Sequence, residues 1–289
     1  MPVILLILMA GCLLPMNFSQ PAPERLGVVL LRDVEYSQPG GVSLQFDASL
    51  PTGEGLAPVA IVVHGGGWVG GERRRTVAPL LQPLADAGFA WFSISYRLAT
   101  DPLQFGVAVN DVEAAIRFVK SHAAEYRLDP ERIFLVGESA GGHLAAMAAL
   151  GGAEGTSVRG VVALYTPTDL VSLATTSTMI PEGIRRQLHG TFFAKLILAR
   201  LEQLSPIGLV KVGMPPFLLI HGDSDKLVPI AQSTEMCRRM TEVGAACTMR
   251  TMAGVGHSVR FWEDSPEVAE RYKREMVEWL QGQSASLVN

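Results

Sequence analysis

The chain has 289 residues, of which 48% are hydrophobic and 18% charged, and its formal net charge is −4. This length can bury the core of one large α/β domain, and no linker rich in Pro, Gly or Ser divides it, so we predict a single domain over residues 21–289. A weakly acidic chain without a long block of one charge argues against nucleic acid as a partner, because phosphate binding requires a basic surface.

The N-terminal segment "PVILLILMAGCLLPM" is apolar but shorter than the roughly 20 residues that span a membrane. We predict that residues 1–20 are a leader for export, so that the protein is periplasmic, secreted or lipid-anchored, and a cytoplasmic location is the alternative. "LMAGC" also resembles the cleavage box of a bacterial lipoprotein, which would make Cys12 the lipidated residue. One departure from the usual signal is that no Lys or Arg precedes the apolar run.

The elements that follow predict an α/β sheet. Two β-rich stretches, around residues 27–36 and 42–50, are separated by a Gly pair typical of a hairpin. Short, almost entirely apolar runs come next, as in parallel strands buried on both faces, and helix-like segments lie between them. This alternation predicts a doubly wound sheet with antiparallel strands at its front edge, and residues 170–213 predict a small cap over its carboxyl edge.

The cysteines do not form an obvious framework. Cys237 lies in a helix-like segment and Cys247 in a strand-like one. We favour two separate, buried or half-buried thiols, and a disulfide in an exported protein is the alternative. No cluster of Cys and His has the spacing of a metal site, so we expect no metal and no cofactor.

Residues 137–141, "GESAG", follow the apolar run "RIFLV" and precede a helix-like segment. This context is that of a nucleophile elbow, a sharp turn that lifts a serine above the end of a strand. Gly137 and Gly141 provide the space that the turn needs, Ser139 is the candidate nucleophile, and the Ala140 N–H points toward developing negative charge. An ordinary strand-to-helix turn built from small residues is the alternative.

A second motif, His64-Gly65-Gly66-Gly67-Trp68, follows the run "PVAIVV". The oxyanion of a tetrahedral intermediate needs two or three N–H donors, and a glycine run lets the backbone approach the substrate closely. A flexible glycine loop is the alternative, and the elbow elsewhere in the chain makes it the weaker one.

A nucleophilic serine needs a base, and the base needs a carboxylate that orients it. In folds with this elbow the acid and then the histidine follow the serine along the chain. His257 is the only histidine beyond His221, so it is the candidate base. Asp223 and Asp225 both lie just past a strand, and their position alone does not separate them.

Together these motifs resemble those of the α/β-hydrolase superfamily, and most of all its HGGGW carboxylesterases. That group includes hormone-sensitive-lipase-like esterases and bifunctional feruloyl and acetylxylan esterases. The resemblance runs from about residue 28 to about residue 282 and is carried by "HGGGWVGGERRR", "SISYRLA", "RIFLVGESAGGHLAAMAAL", "YTPTDL", "PPFLLIHGDSDKLVP" and "GVGHSV".

The resemblance implies an α/β-hydrolase fold, with a mostly parallel eight-stranded sheet and helices on both faces. It also implies Asp225 as the acid of the triad and the N–H groups of Gly66 and Gly67 as oxyanion donors. Trp68 is a reserve donor or a candidate residue of the substrate pocket. Two features favour the feruloyl and acetylxylan esterases over the hormone-sensitive-lipase-like ones. These are the short stretch "YRLATDPLQFG" and the lack of a long N-terminal helical cap.

The expected reaction is hydrolysis of short-chain acyl esters, including acetylated or feruloylated carbohydrate, through an acyl-enzyme. A serine peptidase or amidase on the same fold is the first alternative, because the same three side chains would serve it. A non-catalytic binding module is the second, weaker one, because all three types of triad residue are present in their expected loops.

Overall fold

The computed structural model describes residues 27–100, 105–177, 182 and 192–285. The predicted leader, including Cys12, lies outside these residues. Within the described ranges, no helix is both long enough and apolar enough to cross a lipid bilayer. The strands are β1 (Val28–Ser37), β2 (Leu44–Pro51), β3 (Ala57–Val63), β4 (Ala90–Ile94), β5 (Leu128–Glu138), β6 (Gly160–Leu164), β7 (Phe217–Gly222) and β8 (Cys247–Met252).

Helices connect most of these strands. Two of them, Leu170–Thr176 and Phe192–Gln203, lie between β6 and β7, in the segment predicted to form a cap. The described helices are α1 (Ala78–Asp86), α2 (Phe105–Ser121), α3 (Ala140–Gly151), α4 (Leu170–Thr176), α5 (Phe192–Gln203), α6 (Ala231–Glu242), α7 (Val259–Trp262) and α8 (Pro266–Ala285).

The strands form one eight-stranded sheet in the order β1-β2-β4-β3-β5-β6-β7-β8. β2 pairs antiparallel with both β1 and β4. All the pairs from β4 through β8 are parallel. The predicted fold class, a mostly parallel sheet with antiparallel strands at one edge, is confirmed.

The middle strands of this sheet are buried on both faces, and their side chains alternate between the two. In β3, Val59, Ile61 and Val63 join a core cluster that also contains residues of α2, α3 and α6. The intervening Ala60 and Val62 join a second cluster, with residues of α1 and α8. A nearly continuous apolar strand is what two covered faces require.

Parallel strands place their carboxyl ends at one edge, where ligands bind in sheets of this type. The loop after β3 carries the glycine motif, and the turn after β5 carries Ser139. The loops after β7 and β8 carry Asp225 and His257. The topology thus delivers four predicted site segments to the same edge.

The segment between β6 and β7 returns to its own beginning. Ile207 donates its N–H to the carbonyl of Thr168 at 3.1 Å, and Leu170 donates its N–H to the hydroxyl of Ser205 at 2.9 Å. The described part of residues 170–213 is therefore an excursion closed at its base, and its role as a cap stays a prediction.

The structure corrects the expectation of two separate thiols. Cys237 on α6 and Cys247 at the start of β8 form a disulfide, with their Cα atoms 5.3 Å apart. The bond ties α6 to β8, which lies at one edge of the sheet. The distance between the two cysteines could not be predicted from the sequence, because it depends on how α6 packs against β8.

Reduction of this disulfide is expected to lower the free energy of unfolding by about 2–3 kcal/mol, because it frees a short loop of the unfolded chain. Urea denaturation with and without dithiothreitol measures the effect. The double variant Cys237→Ser/Cys247→Ser should have the same free energy of unfolding as the reduced protein, and dithiothreitol should not change it. Identical midpoints for wild type and double variant would contradict the expectation.

Candidate active site

Ser139 occupies the turn between β5 and α3 in a backbone conformation that L-residues rarely adopt, with φ 50° and ψ −119°. The turn is possible because its neighbours lack side chains. A Cβ on Gly137 would lie 2.5 Å from the carbonyl oxygen of Gly141, and one on Gly141 would lie 2.1 Å from that of Val63. This geometry is that of the nucleophile elbow.

The loop after β3 turns back sharply at its glycines. Gly66 and Gly67 are half-buried and have φ values of 119° and 60°. In the part of the chain that the structure describes, the hydrogen-bond network gives their N–H groups no acceptor. Ala140 is the first residue of α3, so its N–H lies at the positive end of that helix. The three groups are available to an anionic ligand.

The loops after β7 and β8 bring the remaining two predicted residues to the elbow. His257 Nε2 lies 2.9 Å from Ser139 Oγ, and His257 Nδ1 lies 2.7 Å from Asp225 Oδ2. The His257 side chain is 15% exposed, whereas that of Asp225 is fully buried. A substrate can therefore reach the serine and the imidazole, while the carboxylate is shielded behind them.

Asp225 is held as an anion by several donors. Its Oδ1 accepts the backbone N–H groups of Leu227 and Val228, both at 2.9 Å. His221 Nε2 lies 3.4 Å from Oδ2. Burial raises the pKa of this carboxyl, but the bonds from His221 and His257 outweigh burial, and the pKa of Asp225 lies well below its usual range.

Asp223, the alternative acid, has a different place. It is exposed, and its Oδ1 accepts the N–H of Gly254 at 2.8 Å and the hydroxyl of Ser224 at 3.0 Å. The bond from Gly254 joins Asp223 to the loop that leads to His257, whereas Asp225 contacts the imidazole itself, so the geometry selects Asp225 as its partner.

Two other histidines near this edge are buried and have structural partners. His221 contacts the Ser233 hydroxyl at 2.7 Å and the Val228 carbonyl at 2.8 Å. His64 donates from Nδ1 to the carbonyl of Gly65 at 2.8 Å. Burial lowers the pKa of His64 to about 4, so the ring is neutral at physiological pH.

Trp68, the candidate pocket residue, packs inside the protein instead. Its side chain is 3% exposed, and its indole N–H donates to His143 Nδ1 at 3.1 Å. Burial lowers the pKa of His143 to about 4, so the neutral ring can accept there while Nε2 donates to the Leu204 carbonyl at 2.7 Å. Trp68 therefore anchors the glycine loop to α3.

Sequence reasoning missed two features of this edge. The ring of Tyr165 lies edge-on to His257, with centroids 4.6 Å apart, and only its place in "YTPTDL" hinted at it. A cavity of about 550 Å³ is lined by residues 42–44, residues 95–99 and Val107, and the motif "SISYRLA" contributes part of its wall.

Among the described residues, no group of three or more His, Cys, Asp or Glu side chains is arranged to hold a metal.

Curated relatives of the chain carry esterase names. Esterase LipQ of Mycobacterium tuberculosis is 30% identical over 243 residues, which cover 78% of this chain and 56% of LipQ. Isoprenylcysteine alpha-carbonyl methylesterase ICME of Arabidopsis thaliana is 27% identical over 237 residues, which cover 76% of this chain and 55% of that protein. The chain thus spans about half the length of these curated relatives.

Solved structures share the fold. A truncated carbohydrate esterase from gut microbiota is 26% identical, with a TM-score of 0.72 over 89% of this chain and 97% of that one. Esterase 2 of Thermogutta terrifontis with propionate bound has a TM-score of 0.73 at 22% identity, over 91% of this chain and 96% of that one. Residues 46–240 match the model of the BD-FAE family. The chain therefore belongs to the BD-FAE family, within the α/β-hydrolase superfamily that its motifs predicted.

Proposed function

We propose that the protein is a serine carboxylesterase that hydrolyses short-chain acyl esters through a covalent acyl-enzyme. The observation that carries the proposal is the position of His257, which contacts Ser139 Oγ on one side and the buried Asp225 carboxylate on the other. A serine becomes a competent nucleophile when a base so placed can take its proton. The esterase names of relatives that cover most of the chain support the same reaction.

In the first half of the reaction, His257 Nε2 takes the proton of Ser139 as Oγ attacks the ester carbonyl carbon. Asp225 keeps the other ring nitrogen protonated and stabilises the imidazolium. The negative charge that forms on the carbonyl oxygen is placed among the N–H groups of Gly66, Gly67 and Ala140. Such preset donors stabilise the transition state more than the ground state.

The imidazolium then donates its proton to the leaving alcohol, and the acyl group remains on Ser139. In the second half, His257 takes a proton from water as the water oxygen attacks the acyl carbon, and then returns that proton to Ser139 Oγ as the acid leaves. Side chains and backbone amides of this chain supply every proton transfer and charge contact in the cycle, so the proposal requires no metal or cofactor.

Acetylated or feruloylated carbohydrate is the substrate class that we propose within this reaction. The structural relative from gut microbiota is described as a carbohydrate esterase. The cavity of about 550 Å³ lies beside the carboxyl end of β4, two strand positions from β5. Two strand spacings are roughly 10 Å, which leaves room for an alcohol portion larger than a simple ester provides.

Hydrolysis of p-nitrophenyl esters from acetyl to dodecanoyl tests the reaction, and acetylated xylan and methyl ferulate test the substrate class. We expect the highest kcat/KM with the shortest acyl chains, and release of acetate or ferulate from the natural esters. Failure of well-folded protein to hydrolyse any ester would contradict the proposal. Turnover of the shortest esters without acetate or ferulate release would reject only the carbohydrate substrate.

A serine peptidase or amidase is the competing function, because the same three side chains would cleave an amide. Acyl p-nitroanilides that match the preferred p-nitrophenyl ester separate the two. Anilide turnover comparable with ester turnover would favour the amidase. A binding module is disfavoured by the intact contacts of Ser139, His257 and Asp225.

We also propose that the protein is exported. The Cys237–Cys247 disulfide supports this location, because disulfides persist in oxidising compartments and are rare in the reducing cytosol. The apolar leader, residues 1–20, supports it independently. Cell fractionation, followed by alkylation of acid-quenched samples, measures the location of the protein and the oxidation state of its thiols together.

A further inference from the structure

A buried carboxylate lies beside the nucleophile. Glu138 precedes Ser139, is 5% exposed, and accepts hydrogen bonds at both oxygens. Its Oε1 accepts the N–H of Gly65 at 3.1 Å, and its Oε2 accepts the hydroxyl of Tyr165. Burying such a group is costly, and its bonds reduce that cost only while both partners stay in place. Burial raises the pKa of Glu138 despite these bonds.

Tyr165 continues the connection to the histidine loop. It follows β6, is fully buried, and its hydroxyl oxygen accepts the N–H of Val259 at 2.9 Å. Burial and the nearby Glu138 raise the pKa of Tyr165 well above its usual value, so the hydroxyl stays protonated and donates to the carboxylate. One chain of bonds thus runs from Gly65 through Glu138 and Tyr165 to Val259.

The segments joined by this chain are strained. Ser139, Tyr165 and Ser258 are non-glycine residues with φ values of 50°, 39° and 92°. Such conformations persist only where surrounding contacts hold them. Glu138 is adjacent to the first of them, Tyr165 is the second, and Val259 is adjacent to the third.

We propose that Glu138 and Tyr165 form a positioning pair, which holds the oxyanion loop at Gly65 and the histidine loop at Val259 in register with the elbow. The proposal rests on the proposed esterase function, and the hydrogen bonds of the pair go to Gly65 and Val259 rather than to Ser139 or His257. Without the pair, the oxyanion donors and His257 shift relative to Ser139. Small misplacements slow the chemical step strongly, so kcat falls while KM changes little.

The decisive variant is Tyr165→Phe, which keeps the ring against His257 and removes the hydroxyl. Tyr272→Phe is the matched control: Tyr272 is also fully buried, lies edge-on to Trp262, and donates its hydroxyl to a carboxylate of Glu263 at 2.6 Å. With p-nitrophenyl acetate we expect Tyr165→Phe to lower kcat by about 10- to 100-fold, with KM changed by less than about threefold. The control should keep nearly the wild-type kcat.

Glu138 is tested by rescue. Glu138→Ala removes both acceptors, whereas Glu138→Gln keeps an acceptor for Gly65 and can donate its amide to the Tyr165 oxygen. We expect Glu138→Gln to retain most of the kcat that Glu138→Ala loses. Equal losses in the two variants would overturn the positioning role of the bonds.

Amide hydrogen exchange provides a readout that does not depend on turnover. Tyr165→Phe should speed exchange at the Val259 amide relative to wild type, and Tyr272→Phe should not. Unchanged exchange at Val259, or equal kcat in the two Tyr→Phe variants, overturns the proposal. An inactive wild-type protein would instead overturn the esterase function, and exchange would still decide whether the pair holds the loop.

Discussion

Replacement of Ser139 by Ala is expected to lower kcat for p-nitrophenyl acetate by about 10⁵-fold or more, because no acyl-enzyme can form without the hydroxyl. The protein should remain folded, since alanine preserves the small size that the elbow requires and loses only one hydrogen bond, from Oγ to His257 at 2.9 Å. Steady-state hydrolysis and the thermal unfolding midpoint together measure the effect.

Ser224→Ala is the control for this variant. Ser224 lies at the same edge of the sheet, one residue before Asp225, and its hydroxyl donates to exposed Asp223 rather than to the imidazole. The control should retain wild-type turnover. A fluorophosphonate should label wild type on the peptide that contains Ser139 and leave Ser139→Ala unlabelled. Substantial turnover by Ser139→Ala would show that another nucleophile does the chemistry.

The elbow and the sheet could be predicted from sequence because their causes are local. A side chain at Gly137 would collide with the backbone of Gly141 in the turn itself, and this requirement is visible in the sequence as small residues around Ser139. Likewise, a strand covered on both faces reads as a continuous apolar run. Such patterns need no knowledge of distant contacts.

Partners far apart in the chain could not be predicted in this way. Asp223 and Asp225 follow the same strand, and only the position of a loop some 30 residues later decides which one meets His257; the family resemblance supplied that choice. Tyr165 bonds to Glu138, 27 residues before it, and to Val259, 94 residues after it, and no spacing in the sequence indicates these contacts.

The same limit applies to the disulfide, which corrects the expectation of two separate thiols, and to the position of the Trp68 ring. Cys237 can bond Cys247 only when α6 packs beside β8 at the position that brings the two side chains together. Trp68 was an open candidate for the substrate pocket, and its ring lies inside the protein, hydrogen bonded to His143, 75 residues away. In both cases the residue type was informative, and the direction of the side chain was set by tertiary packing.

Asp225→Asn is expected to lower kcat by about 10⁴-fold with little loss of structure. The amide oxygen can still accept the N–H groups of Leu227 and Val228, but an NH₂ group then faces His257 Nδ1 in place of a carboxylate oxygen. This reverses the tautomer, so that Nε2 carries a proton toward Ser139 and cannot accept one. Asp223→Asn is the matched control and should stay within about twofold of wild type, because its oxygen can still accept the Gly254 N–H. Equal losses in the two variants would contradict the assignment of Asp225.

The depressed pKa of Asp225 adds a dependence on pH with a definite sign. A carboxylate whose pKa is lower in the folded state stabilises the fold above its unfolded pKa, about 3.9, and loses that contribution as the pH falls toward the folded value. The free energy of unfolding of wild type should therefore exceed that of Asp225→Asn most near neutral pH. The margin between the two proteins should become smaller below about pH 4. Urea denaturation of both proteins at pH 7 and pH 3 measures it. A margin that widened in acid would mean that the carboxylate is protonated more readily in the fold than in the unfolded chain, and it could not then hold His257 as an anion.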